Sequence, residues 1–467
     1  MAGIGFELKR VLQRGGIIRV LGVSLAGTAI VAGPWLLSAL GIFLIQQYAA
    51  SALTEARSLF TALIVYCYAF SLVLFSGLHY VFTRQISDLI YQHKNREAGS
   101  ALASFLLALF ALSALVAAAG LLPLRIVGEV SRPVLFLLAA GLLFTVINLN
   151  WVIMSFITLL KSYIGILLVY LGGTLISLLG VRFFGALYAT AGALLGYALG
   201  QCFTAIVLYL MTLKGYAPIR LSLKGFLSYL LRYRLLFLAG LLYAWASWAD
   251  KIVFWFTLGK RMAGSWFRVF DPYDVPIFFA ILTMIPGLIF FTIETETSFY
   301  PRLRRFLRCL WKESWTGIIR SKQMMLRTMR AGLREQSILQ AICSLTLIIL
   351  APAIGHALFG DSVDASTLRL TLGAVFFHAL FLTLMIFLFY FELYVQAVAA
   401  VLVFFAVNVT ASLAIGMMGA TRFLGLSYLA GGIAGSVVAG VLLSLSARRI
   451  DRTLFARAAG ITDSRWN

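Results

Sequence analysis

The sequence predicts an all-α integral membrane protein with about twelve transmembrane helices in two six-helix lobes. Three observations lead to this class. First, 62% of the 467 residues are hydrophobic. Second, only 12% are charged, against about 25% in soluble domains. Third, long apolar runs alternate with short charged segments along the whole chain. About 20 apolar residues suffice to cross a bilayer as a helix, so most of this chain is expected within the membrane.

Twelve apolar runs reach the length of a span. The fifth and sixth runs are poorly separated, and so are the tenth and eleventh. A short basic lead, residues 1–19, is expected at the membrane interface. The first run is too long for a cleavable signal peptide. The predicted spans are 20–46, 59–82, 100–122, 134–158, 163–182, 188–213, 235–258, 275–294, 337–359, 367–390, 393–416 and 423–446.

The basic residues predict the orientation of these spans. With the N-terminus in the cytoplasm, 28 of the 38 Lys and Arg residues fall on the cytoplasmic side and nine on the other. This bias follows the positive-inside rule and predicts that both termini are cytoplasmic. The net charge of +21 is therefore interpreted as orientation and attraction to anionic lipids. A nucleic-acid partner is not expected, because the sequence contains no basic soluble domain.

A basic segment at mid-chain divides the spans into two sets of six. We therefore expect an N-terminal lobe over 1–213, a cytoplasmic linker over 214–234 and a C-terminal lobe over 235–467. In each half the second hairpin ends in a charged loop, 83–97 or 294–313. Two such halves imply a pseudo-two-fold axis along the membrane normal, and transporters of this kind carry their substrate between the halves.

The seventh span contains the most unusual stretch, Trp245–Phe256, which reads WASWADKIVFWF. Asp250 and Lys251 lie side by side in it, although a charge near the bilayer centre costs about 2.5–3.5 kcal/mol. Adjacent helical residues point about 100° apart, so we expect these two charges not to pair with each other.

Helical spacing separates this span into two faces. A mostly polar face is expected to line a hydrophilic route, and Lys251 is expected against indole rings of the neighbouring face. The alternative is a buried structural charge network. The predicted polar face comprises Tyr243, Ser247, Asp250, Phe254 and Thr257, and the neighbouring face comprises Trp248, Lys251 and Trp255.

The eighth span is expected to break at Pro276 and Pro286. Glu294 and Glu296 follow at its cytoplasmic end. They are interpreted as the entrance of the route, with interfacial anchors beside a basic cluster as the alternative.

The loop 295–336 is the longest and most charged, with ten Lys and Arg residues. Its apolar residues recur at helical spacing, which predicts an amphipathic helix. Such a helix could lie on an anionic leaflet or dock a cytosolic partner, and the two interpretations are compatible. The candidate docking residues are Arg302, Arg304, Arg305, Arg308 and Lys312.

The sequence shows no motif for cofactor or enzyme chemistry. The sequence has no nucleotide loop, metal-ligand spacing or nucleophile motif, so we expect no cofactor and no enzymatic activity. His378 could suggest an intramembrane transferase, but a packed histidine is expected because no second catalytic residue is spaced with it. The four cysteines are isolated and are expected to pack as small apolar residues. Gly33-Pro34-Trp35 interrupts the first span and is a candidate flexing point.

Several stretches resemble the PelG family, the integral membrane component of the bacterial Pel exopolysaccharide secretion system. They are MAGIGFELKRVL (1–12), GPW (33–35), TRQISDLIY (83–91), WADKIVFWF (248–256) and DVPIFFAILTMIPGLIFFTIETETSFY (274–300). The resemblance implies a fold of the multidrug and polysaccharide exporter superfamily, with two six-helix lobes around a central cavity.

The same resemblance implies a function in biofilm matrix formation. The protein would move Pel, an aminosugar-rich polymer, across the inner membrane to the periplasm. Its partners would be the cytosolic Pel glycosyltransferase, a cyclic-di-GMP receptor and a helical-repeat protein. Other classes stay open, namely a cation-coupled exporter of small molecules, a flippase for lipid-linked oligosaccharides, and a membrane scaffold that recruits the polymer synthase.

Overall fold

The computed structural model describes residues 57–124, 130–159, 163–262, 264–359 and 363–458. The basic lead, the predicted first span and the Gly33-Pro34-Trp35 interruption lie outside these residues. The described part contains ten helices that are long and apolar enough to cross a membrane. One of them is two helices joined at a kink, so a total near twelve fits the prediction.

The described residues form two compact units. The first comprises residues 57–244 and the hairpin segment Gly259–Val269, and the second comprises Trp245–Leu258 and residues 270–458. Helix α6 contributes residues to both. The elements that begin in the first unit are α1 (Arg57–Tyr91), α2 (Asn95–Leu121), α3 (Pro133–Leu159), α4 (Tyr163–Leu213), α5 (Lys224–Arg232), α6 (Arg234–Thr257), β1 (Lys260–Arg261) and β2 (Arg268–Val269).

In the first unit, α3 packs against α1, α2 and α4, and the short α5 packs on α1 and α2. Helix α4 has non-helical backbone angles at Tyr188 and Ala189, and Ala189 is left-handed with φ of 49°. This kink separates the two limbs of α4, which correspond to the predicted fifth and sixth spans.

The two limbs of α4 approach each other through glycines. A Cβ added to Gly196 would overlap the carbonyl carbon of Gly180, and one added to Gly200 would lie 2.6 Å from the carbonyl oxygen of Gly173. Small residues let membrane helices pack backbone to backbone, where van der Waals contact replaces the hydrophobic effect. The glycines therefore set the packing of this helical pair.

In the second unit, α13 packs against α11 and α12, and α11 also packs against α7 and α10. Its elements after α6 are α7 (Asp271–Leu282), α8 (Ile285–Glu294), a π-helical turn (Thr295–Phe299), α9 (Tyr300–Lys312), α10 (Trp315–Ile354), a second π-helical turn (Gly355–Phe359), α11 (Ala365–Tyr390), α12 (Tyr394–Met418), a 3₁₀ turn (Thr421–Phe423), α13 (Leu426–Arg448) and α14 (Ile450–Ala458).

Only one of the two predicted proline breaks is present. Helix α7 ends at Leu282 and α8 begins at Ile285, with Pro286 in the first turn of α8. Pro276 lies within α7 and does not break it, which corrects the prediction. Pro276 is the sixth of the twelve residues of α7, and it removes one backbone hydrogen bond while the helix continues to Leu282.

The last helix is held to α10 by an ion pair. Lys322 Nζ lies 2.7 Å from Asp451 Oδ1 and also donates to the carbonyl oxygen of Arg448 at 2.6 Å. Partial burial acts to raise the pKa of Asp451, but the hydrogen bond and positive charge of Lys322 outweigh it and lower that pKa. The carboxylate thus stays ionised and anchors α14.

The glycine contact in α4 can be tested by adding one methyl group. We expect Gly196→Ala to destabilise the protein by about 1–3 kcal/mol, because the new Cβ meets backbone that cannot move aside. Gly440→Ala is the matched control, since its Cβ would come no closer than 3.9 Å to the side chain of Leu384. Thermal unfolding in detergent should show a lower Tm only for Gly196→Ala, and equal Tm values would contradict the packing described here.

Candidate functional site

The buried charges of α6 form the centre of the candidate site. Asp250 has no exposed surface and Lys251 is 5% exposed. Both lie about two turns from the end of α6 at Thr257. A charge pair so enclosed must find its hydrogen-bond partners within the protein, because the hydrocarbon of a bilayer has no polar groups to supply them.

The Asp250 carboxylate accepts hydrogen bonds from three elements. Tyr273 of α7 donates its hydroxyl to Oδ2. Lys251 Nζ lies 3.4 Å from Oδ1 and 3.3 Å from Oδ2. Asn408 of α12 donates to Oδ1 at 3.5 Å and, at 2.9 Å, to the carbonyl oxygen of Ala246. The carboxylate therefore links α6 to α7 and α12.

The expectation that Asp250 and Lys251 would not pair is wrong. Lys251 bends back along α6 and donates to the carbonyl oxygen of Ser247 at 3.0 Å, which brings its ammonium beside the carboxylate. The 100° separation describes the directions in which the side chains leave the backbone. The four-carbon stem of lysine is long enough to cover that separation.

Aromatic rings surround the ammonium. Lys251 Nζ lies 4.7 Å from the ring centroid of Tyr428 and 5.6 Å from that of Trp248. Tyr428 in turn shares a 2.6 Å hydrogen bond with Nδ1 of His378, whose ring stacks on it at 5.4 Å. His378 is thus packed into this network, as the sequence interpretation expected of a lone histidine.

Trp255, the second indole predicted beside Lys251, forms its hydrogen bond with a different carboxylate. Trp255 Nε1 donates to Oδ2 of Asp274 at 2.7 Å, and the same oxygen accepts from the backbone N–H of Phe270 at 3.3 Å. Trp255 is 1% exposed. It therefore fastens α6 to the start of α7 rather than covering Lys251.

The residues of the predicted polar face of α6 differ in how deeply they are buried. Asp250 and Phe254 are fully buried, Tyr243 and Ser247 are half-buried, and Thr257 is exposed. The arrangement around Asp250 has the form of a buried charge network in this structure.

The two glutamates lie two residues apart, Glu294 as the last residue of α8 and Glu296 in the π-helical turn that follows. Glu294 is half-buried, and its Cγ lies 3.4 Å from the point where a Cβ on Gly332 of α10 would stand. Glu296 is 2% exposed within the π-helical turn. Both carboxylates therefore belong to the packed junction between α8, α9 and α10 more than to an open surface.

Helix α9 is amphipathic, as predicted. Its buried side chains include Leu303, Phe306, Cys309 and Leu310. All five candidate docking residues are exposed, namely Arg302, Arg304, Arg305, Arg308 and Lys312. The helix thus presents a strongly basic face while its apolar face packs inward.

A second polar cluster, in the first unit, escaped the sequence interpretation. The hydroxyls of Tyr68 and Tyr197 lie 2.9 Å apart, and Trp151 Nε1 donates to Ser71 Oγ at 3.2 Å. Ser71 also bonds to the carbonyl of Tyr68 at 2.8 Å. The amide–aromatic cluster comprises these neutral hydroxyl and indole groups of α1, α3 and α4, and the carboxamides about one helical turn or less from them on α3 and α4.

Two buried asparagines, Asn148 and Asn150, precede Trp151 within one turn of α3. Asn150 Nδ2 lies 3.3 Å from both the side-chain and backbone oxygens of Gln201. Asn148 is fully buried and donates to the carbonyl oxygen of Phe144 at 2.8 Å. The available signal was the NLNW motif at 148–151, which places two amides and an indole inside an apolar span.

Three residues of the charge network were also missed. Tyr273, Asn408 and Tyr428 are polar or aromatic residues of apolar spans, and only the tertiary structure brings them to Asp250 and Lys251. Within the described ranges, no group of three or more His, Cys, Asp or Glu residues is placed to hold a metal ion.

Removing one member of the charge pair tests how the network is held. We expect Lys251→Met to destabilise the protein by about 3–5 kcal/mol, because it leaves a buried carboxylate without its cation. Asp250→Asn combined with Lys251→Met should recover most of this loss. The exposed pair Lys94–Glu97, 3.8 Å apart, provides the control, and Lys94→Met should change stability by less than about 1 kcal/mol.

Thermal unfolding in detergent of the wild-type protein and the three variants measures these differences. A double variant no more stable than Lys251→Met would show that the two side chains are not coupled.

Comparisons with known proteins agree with this architecture. The chain matches a family model, PelG, described as "Putative exopolysaccharide Exporter (EPS-E)", over residues 1–455. No curated protein matches it in sequence.

Three solved structures of transporters share this fold with the chain. An outward-facing multidrug resistance MATE family transporter of the MOP superfamily has a TM-score of 0.61 at 13% identity, covering 97% of this chain and 100% of that one. An inward-facing one has a TM-score of 0.60 at 12% identity, covering 92% and 99%. A MOP superfamily transporter from Pyrococcus furiosus has a TM-score of 0.58 at 13% identity, covering 92% and 96%.

At such low identity these structures show the fold alone, and the family match carries the assignment. Because that match spans nearly the whole chain, the protein is a multi-pass membrane exporter that belongs to the PelG family.

Proposed function

We propose that the chain moves Pel exopolysaccharide, an aminosugar-rich polymer, from the cytoplasm to the periplasm across the bacterial inner membrane. The observation that carries this proposal is the match of residues 1–455 to the exopolysaccharide-exporter family. The MATE-like fold supports it, because that fold belongs to transporters. In this proposal the lobes 1–213 and 235–467 enclose the route, and both termini are cytoplasmic.

The polar groups inside the spans suit a sugar polymer. The amide–aromatic cluster offers neutral hydroxyls, carboxamides and the half-buried ring of Trp151. Sugar hydroxyls and N-acetyl groups bond to such groups, while the C–H faces of the rings stack on aromatic side chains. Ser71 and Tyr197 of this cluster are buried. We therefore place part of the substrate path at its half-buried residues Tyr68 and Trp151, together with Tyr243, Ser247 and Trp248 of α6.

Asp250, Lys251 and Trp255 act in this proposal through the position of α6. The pair is enclosed by Tyr273 and Asn408, so it can face a route only if α7 or α12 moves away from α6. Interfaces of this kind tend to have discrete arrangements rather than deforming continuously. Glu294 and Glu296 would then border the cytoplasmic end of the route.

The charge network argues against a cation-coupled exporter that uses Asp250. Lys251 already lies within 3.4 Å of both carboxylate oxygens. An incoming metal cation would have to displace a tethered ammonium that is itself held by the Ser247 carbonyl and two aromatic rings. A proton on the carboxylate would leave that buried ammonium without its counter-charge. Asp250 is therefore a poor coupling carboxylate.

The basic face of α9 is our candidate for docking the cytosolic Pel glycosyltransferase. It presents five exposed cationic side chains, and complementary charge guides and orients a partner. The cyclic-di-GMP receptor and the helical-repeat protein are the other proposed partners, and contact of this face with anionic lipid is compatible with docking.

Export can be separated from scaffolding by single substitutions. We expect Asp250→Ala and Lys251→Ala each to lower polymer export about tenfold or more, since each strands a buried charge at a cost of several kcal/mol. Thr257→Val, on the exposed end of the same helix, should export normally. Secreted polymer is measured per amount of membrane-inserted protein. The amount of co-purified glycosyltransferase is measured in the same preparations.

Normal export from both variants would remove α6 from the proposed mechanism. A scaffold would instead lose glycosyltransferase recruitment and export in parallel, whereas the exporter proposal predicts lost export with the partner retained.

Docking is tested by reversing charge on α9. The combined variant Arg302→Glu, Arg304→Glu, Arg305→Glu and Arg308→Glu should reduce co-purified glycosyltransferase about tenfold or more, because like charges would then face the partner. Arg369→Glu with Arg422→Glu, also exposed, is the control. Undiminished co-purification with the α9 variant would reject this docking surface.

A further inference from the structure

A cavity of about 330 Å³ lies within the first unit, between α1, α2, α3 and the β1–β2 hairpin. Its size falls within the range of ligand sites, roughly 300–1,000 Å³. Its wall includes Leu63, Tyr66, Phe70, Val116, Phe144 and Trp266. None of the described residues that line it is charged, and an apolar cavity of this kind excludes water. An occupant must therefore be apolar.

The cavity lies at the end of the helices remote from the α1–α2 loop. Leu63 is about 9 Å and Leu74 about 26 Å from the start of α1, at 1.5 Å per residue. Ala117 and Leu121 belong to the last two turns of α2. Leu74 is 38% exposed and leaves the cavity open on the apolar surface. This depth and opening match the acyl chain of a lipid.

The hairpin forms a fixed wall of the cavity. Tyr66 Oη donates to the carbonyl oxygen of Arg268 and accepts from its backbone N–H, both at 2.9 Å. Trp266 Nε1 donates to the carbonyl oxygen of Gly120 at 2.9 Å. The rings of Trp266 and Phe267 lie 5.4 and 4.7 Å from Tyr66. These contacts hold the charged strands of the hairpin beside the cavity.

The hairpin concentrates positive charge with no acidic residue between Gly259 and Val269. Lys260 and Arg261 are exposed, and Arg261 pairs directly opposite Arg268 across the strands. Like charges at opposed positions destabilise a strand pair. An anion shared at this face would relieve that repulsion, which gives the basic hairpin a reason to bind one.

The hairpin also departs from the charge rule that orients the rest of the chain. Lys260, Arg261 and Arg268 supply three of the nine basic residues predicted on the non-cytoplasmic side. Because basic residues are depleted there in most membrane proteins, their clustering beside an apolar cavity requires a local explanation.

We propose that this cavity and hairpin form a binding site for one anionic phospholipid, such as phosphatidylglycerol. The acyl chain occupies the cavity, and the phosphate lies against Lys260 and Arg261. A free phosphate would leave the cavity empty, and a zwitterionic lipid would add its own positive charge to a basic face. The ligand of this site differs from the polymer that the route would carry. A negative result for lipid binding would therefore leave the export proposal unaffected, and the reverse also holds.

Trp266 provides a reporter on the cavity wall. Purified full-length protein in detergent is titrated with phosphatidylglycerol whose acyl chains carry bromine, which quenches nearby tryptophans. Subtracting the signal of Trp266→Phe isolates the response of Trp266. We expect that response at lower concentrations of the anionic lipid than of brominated phosphatidylcholine.

Two sets of variants separate the headgroup from the chain. Lys260→Gln and Arg261→Gln should each lower the preference for the anionic lipid about fivefold, as basic residues near anionic headgroups do. Arg422→Gln, an exposed arginine elsewhere, should keep it. Gly120→Leu should reduce quenching by both lipids, because a Cβ at Gly120 meets open space and a larger side chain can fill the cavity.

Equal quenching by the two lipids that survives Gly120→Leu would mean general contact with surrounding lipid and would overturn the proposal. Inorganic phosphate that displaced the lipid as effectively as unbrominated phosphatidylglycerol would identify a simple anion site and would also overturn it.

Discussion

A charged carboxylate enclosed in a membrane-spanning helix is the constraint on which the second unit depends. Asp250 cannot be solvated by hydrocarbon, so its oxygens must find donors within the protein. Tyr273, Lys251 and Asn408 supply them from α7, α6 and α12. The network around Lys251 then reaches α11 and α13 through His378 and Tyr428. One buried charge thus determines how five helices meet.

The two units join their helices by different physical means. In the first unit, glycines on the two limbs of α4 allow backbone contact, and a neutral amide–aromatic cluster bonds α1, α3 and α4. In the second unit, the ion pair of Asp250 and Lys251 and its hydrogen-bond donors connect the helices. Van der Waals packing tolerates little displacement, whereas a charge network can exchange partners. Our proposal accordingly places the movement, that of α7 or α12 away from α6, in the second unit.

Local sequence patterns predicted the features that depend on neighbouring residues. The apolar runs predicted the spans, including the two limbs of α4. The kink between these limbs lies at Tyr188 and Ala189, just after the predicted boundary at 183–187. The helical spacing of apolar residues within 295–336 predicted an amphipathic helix. In α9, Leu303 and Phe306 are buried and the arginines are exposed, whereas Leu307 is 40% exposed. Pro276 was misjudged, because α7 continues for six residues past this interior proline and packs against α11.

The sequence by itself determined the membrane class, the number of spans and the unusual status of Asp250 and Lys251, because bilayer thickness and the cost of burying charge apply to each segment separately. The tertiary structure decided how that charge is satisfied. Lys251 turns back to Asp250, Trp255 turns to Asp274, and Asn408 arrives from 158 residues away. Such contacts depend on side-chain reach and on which helices become neighbours, and neither is encoded in the spacing of residues along one helix.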